Sequence, residues 1–326
     1  MQRKALLMNV LGLFEVNNRL QYTAVVAFFL AFILVAPSYA NSIDEPSQGN
    51  KSGTSLPIVF PSAPNNTPYK QIAGLGFIEP TATFMYASEH PDQYAAYWRA
   101  NNTEATAKGV VVFIHGGCWL SAFDMSHAYA FATGLSQAGY HVWSIEYRRA
   151  GNGGEWPVAL EDIVLGLQKI EVLSESDVNL DHISVVGHSA GGHLAAMLAV
   201  QLQDVLPALV KKADVIGLAA IIDVAKYASG SNDCQTATPS FMAGMPNQKT
   251  SAYYLATPSN FEARGETLGQ FQLLQGNADV IVPELQASHY SAKTIKLDGV
   301  GHFDWIHPGS DAFKQLLKQL ESNAIN

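Results

Sequence analysis

Three short stretches hold the residues best suited to chemistry. Gly187-His188-Ser189-Ala190-Gly191 sets a serine between glycines, a pattern that suits a sharp turn holding a hydroxyl clear of its own backbone. A serine hydroxyl is a poor nucleophile near neutral pH, so it needs a base to take its proton and an acid to orient that base. Asp279 and then His302 follow in chain order and supply both. Asp223 is the rival acid, His307 the substitute base, and Asp304 is expected to be a solvated neighbour. In the third stretch, His115-Gly116-Gly117-Cys118-Trp119, glycines let backbone N–H groups turn toward a developing negative oxygen. The oxyanion hole is assigned to Gly116, Gly117 and the N–H of Ala190, with His115 bracing the loop by hydrogen bonds. Trp119 reads equally as a wall of the substrate pocket or as core.

Such a set performs acyl transfer through a covalent intermediate. Ser189 attacks an ester carbonyl, His302 takes and returns the proton, Asp279 stabilises the imidazolium, and water releases the acid. No cofactor is required. His188 and His193 both lie near the serine, but their spacing does not bring them to one helix face, and no His-Glu-x-x-His motif occurs. No metal site is expected.

These loops need a frame that brings them together, and the sequence alternates strand and helix. Residues 83–86 and 93–99 are short β-prone segments around the turn signal His90-Pro91-Asp92 and suit an antiparallel edge. The apolar runs 110–114 and 183–186 read as strands buried on both faces, with further strands over 141–147, 215–222, 271–274 and 293–297. Helices are expected over 129–138, 163–172 and 313–320, the second started near Pro157, and after Ser189, where Leu194, Ala195, Met197 and Leu198 share a face. This order implies an α/β fold with a mainly parallel central sheet and helices on both faces. Its ligand site lies beyond the carboxyl ends of the strands, where the three stretches fall.

The chain has 326 residues, is 48% apolar and only 14% charged, against about 25% charged on average, which excludes a disordered protein. Lys+Arg 19 against Asp+Glu 28 gives a net charge of -9 without any basic run, so nucleic acid is not an expected partner. Arg3, Lys4 and Arg19 precede an apolar run over 24–36, followed by Pro37-Ser38-Tyr39-Ala40. That is the layout of a secretory signal peptide over residues 1–40, with an apolar run short of the roughly 20 residues that span a bilayer. The expectation is a secreted or periplasmic protein with no stable membrane span after cleavage, an uncleaved membrane anchor being the weaker alternative. Residues 41–81, rich in Ser, Pro and Asn, form a linker or surface-wrapping arm, and the folded domain runs from 82 to 326.

On these motifs the chain resembles the α/β-hydrolase superfamily, in particular the esterase branch with a His-Gly-Gly-x-Trp oxyanion loop, which includes kynurenine formamidase-like proteins and lipases and esterases of the His-Gly-Gly-Gly type. The resemblance covers about residues 83–320 and extends to Glu146-Tyr147-Arg148-Arg149 and Gly153-Gly154-Glu155-Trp156-Pro157, which in that branch shape the loop beside the oxyanion hole. Two departures touch the pocket: Cys118 stands where many relatives carry Tyr or Gly, and Glu155 interrupts a run of glycines.

Residues 227–260 make a long connection that suits a short lid or acyl pocket, with Phe241 and Met242 as pocket residues. Cys118 and Cys234 are an even pair that export would favour oxidising, the alternative being two free thiols. A bond between them would pin this connection over the oxyanion loop. The expected partner is a small-molecule ester and the expected activity that of an exported carboxylesterase. A kynurenine formamidase-like amide hydrolase or a small exopeptidase is the alternative, and a non-catalytic ligand-binding module the alternative of another class.

Overall fold

The apolar run Gly109–Ile114 is buried on both sides, and its side chains alternate between two hydrophobic clusters, Val110, Val112 and Ile114 in one, Val111 and Phe113 in the other. That is the period-two pattern of a strand at the centre of a two-faced sheet. In the computed structural model, which describes residues 57–101, 106–176, 178–261, 271–288 and 292–325, eight strands form one sheet. They are β1 (Ala82–Met85), β2 (Tyr94–Trp98), β3 (Gly109–Ile114), β4 (Tyr140–Ile145), β5 (His182–His188), β6 (Lys212–Leu218), β7 (Phe271–Gly276) and β8 (Lys293–Leu297). Their order is β1-β2-β4-β3-β5-β6-β7-β8. The pair β1/β2 is antiparallel, as the edge reading expected, β2/β4 is antiparallel as well, and every other pair is parallel.

Each face of the sheet is covered. The helices Val158–Gln168 and Ala190–Val205 bury Ile163, Leu167, Leu194 and Leu198 in one cluster, while Tyr129–Gln137 and Asp311–Ile325 bury Phe131, Leu135, Phe313 and Leu316 in the other. Between β6 and β7 lies the insertion, whose described part holds the helices Val224–Tyr227, Asp233–Phe241 and Thr250–Ala256. No helix among the described residues is long and apolar enough to cross a membrane. The expected signal peptide over 1–40 and the arm's first part, 41–56, lie outside the described residues.

Several expected boundaries move. The strand expected over 215–222 ends at Leu218, because Ala219 takes a left-handed backbone, φ 47°, while its N–H still reaches Leu274 O at 2.9 Å. The apolar run 219–222 is buried but lies outside the strand. β4 stops at Ile145, so Glu146 and Tyr147 begin a loop. The helix expected over 163–172 runs earlier, Val158–Gln168, and tightens into the 3-10 segment Lys169–Ser176. Within the arm, Tyr69–Ala73 is a short helix.

Candidate active site

β5 ends at His188, and the chain turns at once into the helix Ala190–Val205. Ser189 sits on that turn with φ 56° and ψ -118°, a conformation that costs a non-glycine residue on the order of 1 to 3 kcal/mol and persists where its surroundings over-determine it. Here they do. Ser189 N–H donates to Leu218 O at 2.9 Å, and Ser189 O accepts from His193 N at 3.0 Å. A side chain at Gly187 would strike Gly191 O, and one at Gly191 would strike the carbonyls of Ile114 and His115. The two glycines of the motif therefore let the helix start close against the ends of β5 and β3. That start carries unpaired N–H groups and the positive end of the helix dipole toward Ser189.

The acid and base candidates meet at the ends of β7 and β8. His302 Nδ1 lies 2.7 Å from Asp279 Oδ2, and both residues are buried. Asp279 Oδ1 accepts the N–H groups of Ile281 and Val282, each at 2.8 Å. With both oxygens engaged, the side chain is fixed in place. The His302 ring packs 4.6 Å from that of His188, the residue before Ser189. No hydrogen bond joins Ser189 to His302 in the structure, a contact that in unliganded sites is often long. The rivals are engaged elsewhere. Asp223 Oδ1 caps the helix Val224–Tyr227 by accepting Lys226 N at 2.9 Å, and His307 Nδ1 accepts Gly309 N at 3.0 Å.

The loop after β3 runs against the same point. A side chain at Gly116 would come within 3.1 Å of Ser189 Cβ, so this backbone lies beside the serine. Gly117, Cys118 and Trp119 take successive positive φ values of 108°, 55° and 58°, closed by Leu120 N to Gly117 O at 2.9 Å. A Cβ at Gly117 would also strike Phe123. His115 braces the turn: Nε2 lies 2.9 Å from Glu146 Oε1, Nδ1 lies 2.8 Å from Gly116 O, and the ring stacks 4.5 Å from Tyr147. Glu146 pairs in turn with Arg149 and accepts Met125 N at 2.8 Å. The Glu-Tyr-Arg-Arg segment thus supports the loop through a buried ionic network.

The expected bond between Cys118 and Cys234 is formed, with Cα atoms 5.0 Å apart and a sequence separation of 116. It joins the loop after β3 to the insertion helix Asp233–Phe241. Trp119 stacks on Phe241 at 4.7 Å and 3°, and Trp119, Phe241 and Met242 are all buried in the core. At its other end the helix is capped by Asn232, whose Nδ2 donates to Val280 O and Ile281 O beside Asp279. One helix therefore touches both the loop after β3 and the loop that carries Asp279. Converting both cysteines to serine is expected to lower unfolding stability by about 2 to 5 kcal/mol, read from urea midpoints of the unreduced proteins. Equal midpoints would mean that the bond restrains nothing.

One expectation is corrected. Asp304 is not solvated: it is 1% exposed and accepts N–H groups from Asn66 at 2.7 Å, Thr67 at 2.8 Å and Gly301 at 2.7 Å. Three backbone donors compensate the buried carboxylate. Sequence reasoning missed this tie between the N-terminal arm and the His302 loop, although an acidic residue three places after Gly301 is a local signal for a side chain turning back to a backbone N–H. His193 donates from Nε2 to Ala256 O in the insertion at 2.7 Å, and burial pushes its pKa down to about 4, which keeps the ring neutral near pH 7. Among the described residues no group of three or more His, Cys, Asp or Glu side chains is gathered as metal ligands would be.

A model of the BD-FAE family matches residues 97–294. Among curated proteins, the chain is similar to esterase LipC of Mycobacterium tuberculosis, 27% identical over 117 residues, which are 36% of this chain and 29% of that protein. It is also similar to the probable carboxylic ester hydrolase LipM of the same organism, 29% identical over 129 residues, 36% of this chain and 30% of that one. The match thus spans about three tenths of the length of these relatives. Among solved structures, esterase B of Lactobacillus rhamnosis superposes with a TM-score of 0.63 at 19% identity, covering 78% of this chain and 89% of its own. That likeness shows the α/β-hydrolase fold.

Proposed function

The chain belongs to the BD-FAE family, and from that membership and the geometry around Ser189 we propose that it is an exported serine hydrolase that cleaves carboxylic esters through an acyl-enzyme intermediate. The observation that carries the reading is the buried Asp279–His302 pair, 2.7 Å long, whose ring packs against the residue preceding a strained serine elbow. In this mechanism His302, oriented by Asp279 through Nδ1, uses its free Nε2 to take the Ser189 proton as the hydroxyl attacks the ester carbonyl. The oxyanion is met by N–H groups of Gly116, Gly117 and Ala190. The alcohol leaves with the proton from His302, and a water activated by the same nitrogen releases the acid. The similarity to LipC and LipM, named as an esterase and a probable carboxylic ester hydrolase, supports an ester over an amide as substrate. Export rests on the charged and apolar layout of residues 1–40, and the Cys118–Cys234 bond supports it because such bonds persist in oxidising compartments.

A panel of p-nitrophenyl esters, an aryl formamide and an aminoacyl p-nitroanilide tests the reading through kcat/KM. Short esters are expected to exceed both amides by at least about 100-fold, equivalent to the 2.7 kcal/mol that two factors of ten represent. Preference for the formamide or for the anilide would overturn it. Absence of labelling by a fluorophosphonate would point instead to a binding module.

A further inference from the structure

His188 is buried and takes no direct part in the chemistry proposed above, yet its side chain joins the turn that carries Ser189 to the His302 loop. Its Nε2 lies 3.0 Å from the main-chain oxygen of His302. A carbonyl oxygen only accepts, so Nε2 carries the proton. The other nitrogen, Nδ1, is buried with no hydrogen-bond partner and faces Gly116, where a Cβ would come within 3.1 Å of it. A second proton on Nδ1 would have no acceptor, so this geometry favours the neutral ring. Burial, reinforced by the neighbouring His302, likewise holds the His188 pKa well below the usual imidazole range. The imidazole of His302 packs against it, and those of His127 and His115 add to the disfavour of a positive charge there.

Accounting for His302 shows what this contact adds. Its Nδ1 is held by Asp279, and the N–H of Gly301 just before it is held by Asp304. Its own carbonyl is held by His188, and nothing else bonds that oxygen among the described residues. Without the His188 N–H, the carbonyl would be buried unpaired and the peptide free to rotate. The ring it carries would then lose its register with Ser189, the residue that follows His188 on the turn after β5.

We propose that His188 is a positioning residue: it ties the main chain of His302 to the turn that carries Ser189, and it does so as an uncharged ring, so that the imidazolium formed at His302 meets no second positive charge 4.6 Å away. The assignment rests on the hydrolase reading for its catalytic consequence but not for the tie itself.

Two variants matched in length separate the donor from the bulk. His188→Gln keeps an N–H within reach of the carbonyl, and His188→Met does not. With a short p-nitrophenyl ester across roughly pH 5 to 9, His188→Met is expected to lose about 10- to 100-fold in kcat with KM within about 3-fold, the penalty of a misplaced acid–base group. Gln is expected to stay within about 5-fold of the parent. Should Met fail to fold, His188→Asn, whose amide is one methylene shorter, takes its place with the same expectation. Independently of activity, the proton shared by His302 Nδ1 and Asp279 is expected as a slowly exchanging downfield NMR signal in the parent and in Gln, and to be lost to solvent exchange in Met. Parent-like kcat and an intact signal in Met, or a loss in Gln as large as in Met, would overturn the proposal. If the parent itself cleaves no ester and takes no fluorophosphonate, the hydrolase reading fails while the NMR comparison still decides on His188.

Discussion

Replacing Ser189 by alanine is expected to lower kcat for a short ester by about 10⁶-fold while leaving the fold unchanged. Loss of a triad nucleophile removes the covalent route altogether, and the remaining rate comes from the oxyanion donors and from binding. Structural side effects should be small. Alanine keeps the Cβ, so the cost of φ 56° is the same for both residues, and the backbone bonds Ser189 N to Leu218 O and His193 N to Ser189 O do not involve the hydroxyl. The measurements are kcat on the purified variant, fluorophosphonate labelling and the thermal midpoint. Labelling should vanish and the midpoint should move by no more than a degree or two, since about 1 kcal/mol corresponds to roughly 2 to 4 °C in a domain of this size. A variant that turns over ester at the parent rate would remove Ser189 from the chemistry.

The elements that position Ser189 were legible because their signals are local. A buried apolar run, a Gly-x-Ser-x-Gly turn and an apolar helix face all lie within about 20 residues, and the strand, turn and helix are where those patterns put them. The antiparallel edge and both central strands were legible for the same reason. What failed was the use of apolarity to decide where a strand stops. Residues 219–222 are as buried as the strand before them, yet the left-handed turn at Ala219 takes them out of the sheet. Burial sets composition, and backbone conformation sets the element.

The surroundings of His302 show the complementary limit. Asp304 read as solvated because its carboxylate has only one donor nearby in sequence, Gly301, and the other two come from residues 237 and 238 positions away. His188 bonds a carbonyl 114 residues on. Contacts of that separation leave no periodic trace, so a single sequence offers candidate reactive groups but not what holds them. The Cys118–Cys234 pairing, also remote, could be raised only because two cysteines allow one bond.

The sequence favours Asp279 over its rival Asp223 as the acid, and the test of that choice is the second large effect. Asp279→Asn is expected to reduce kcat by about 10⁴-fold, the size of the effect when a triad carboxylate becomes an amide and the imidazole loses its correct tautomer. The amide oxygen can keep accepting from Ile281 and Val282, so the loop should survive, but an amide nitrogen facing His302 Nδ1 would donate rather than accept. The proton of the neutral ring is then driven to Nε2, the nitrogen that must be free to receive the serine proton. Asp223→Asn supplies the contrast. Its carboxylate serves as a helix cap, and asparagine caps as well as aspartate, so both kcat and stability should stay close to the parent. Raising the pH also separates the two. Because the defect in Asp279→Asn is a proton on the wrong nitrogen of a neutral ring, going above the histidine range should not restore the rate until hydroxide itself can replace the base. A variant at position 279 with near-parent kcat, or a collapse of kcat in Asp223→Asn, would reassign the acid and with it the geometry that orients His302.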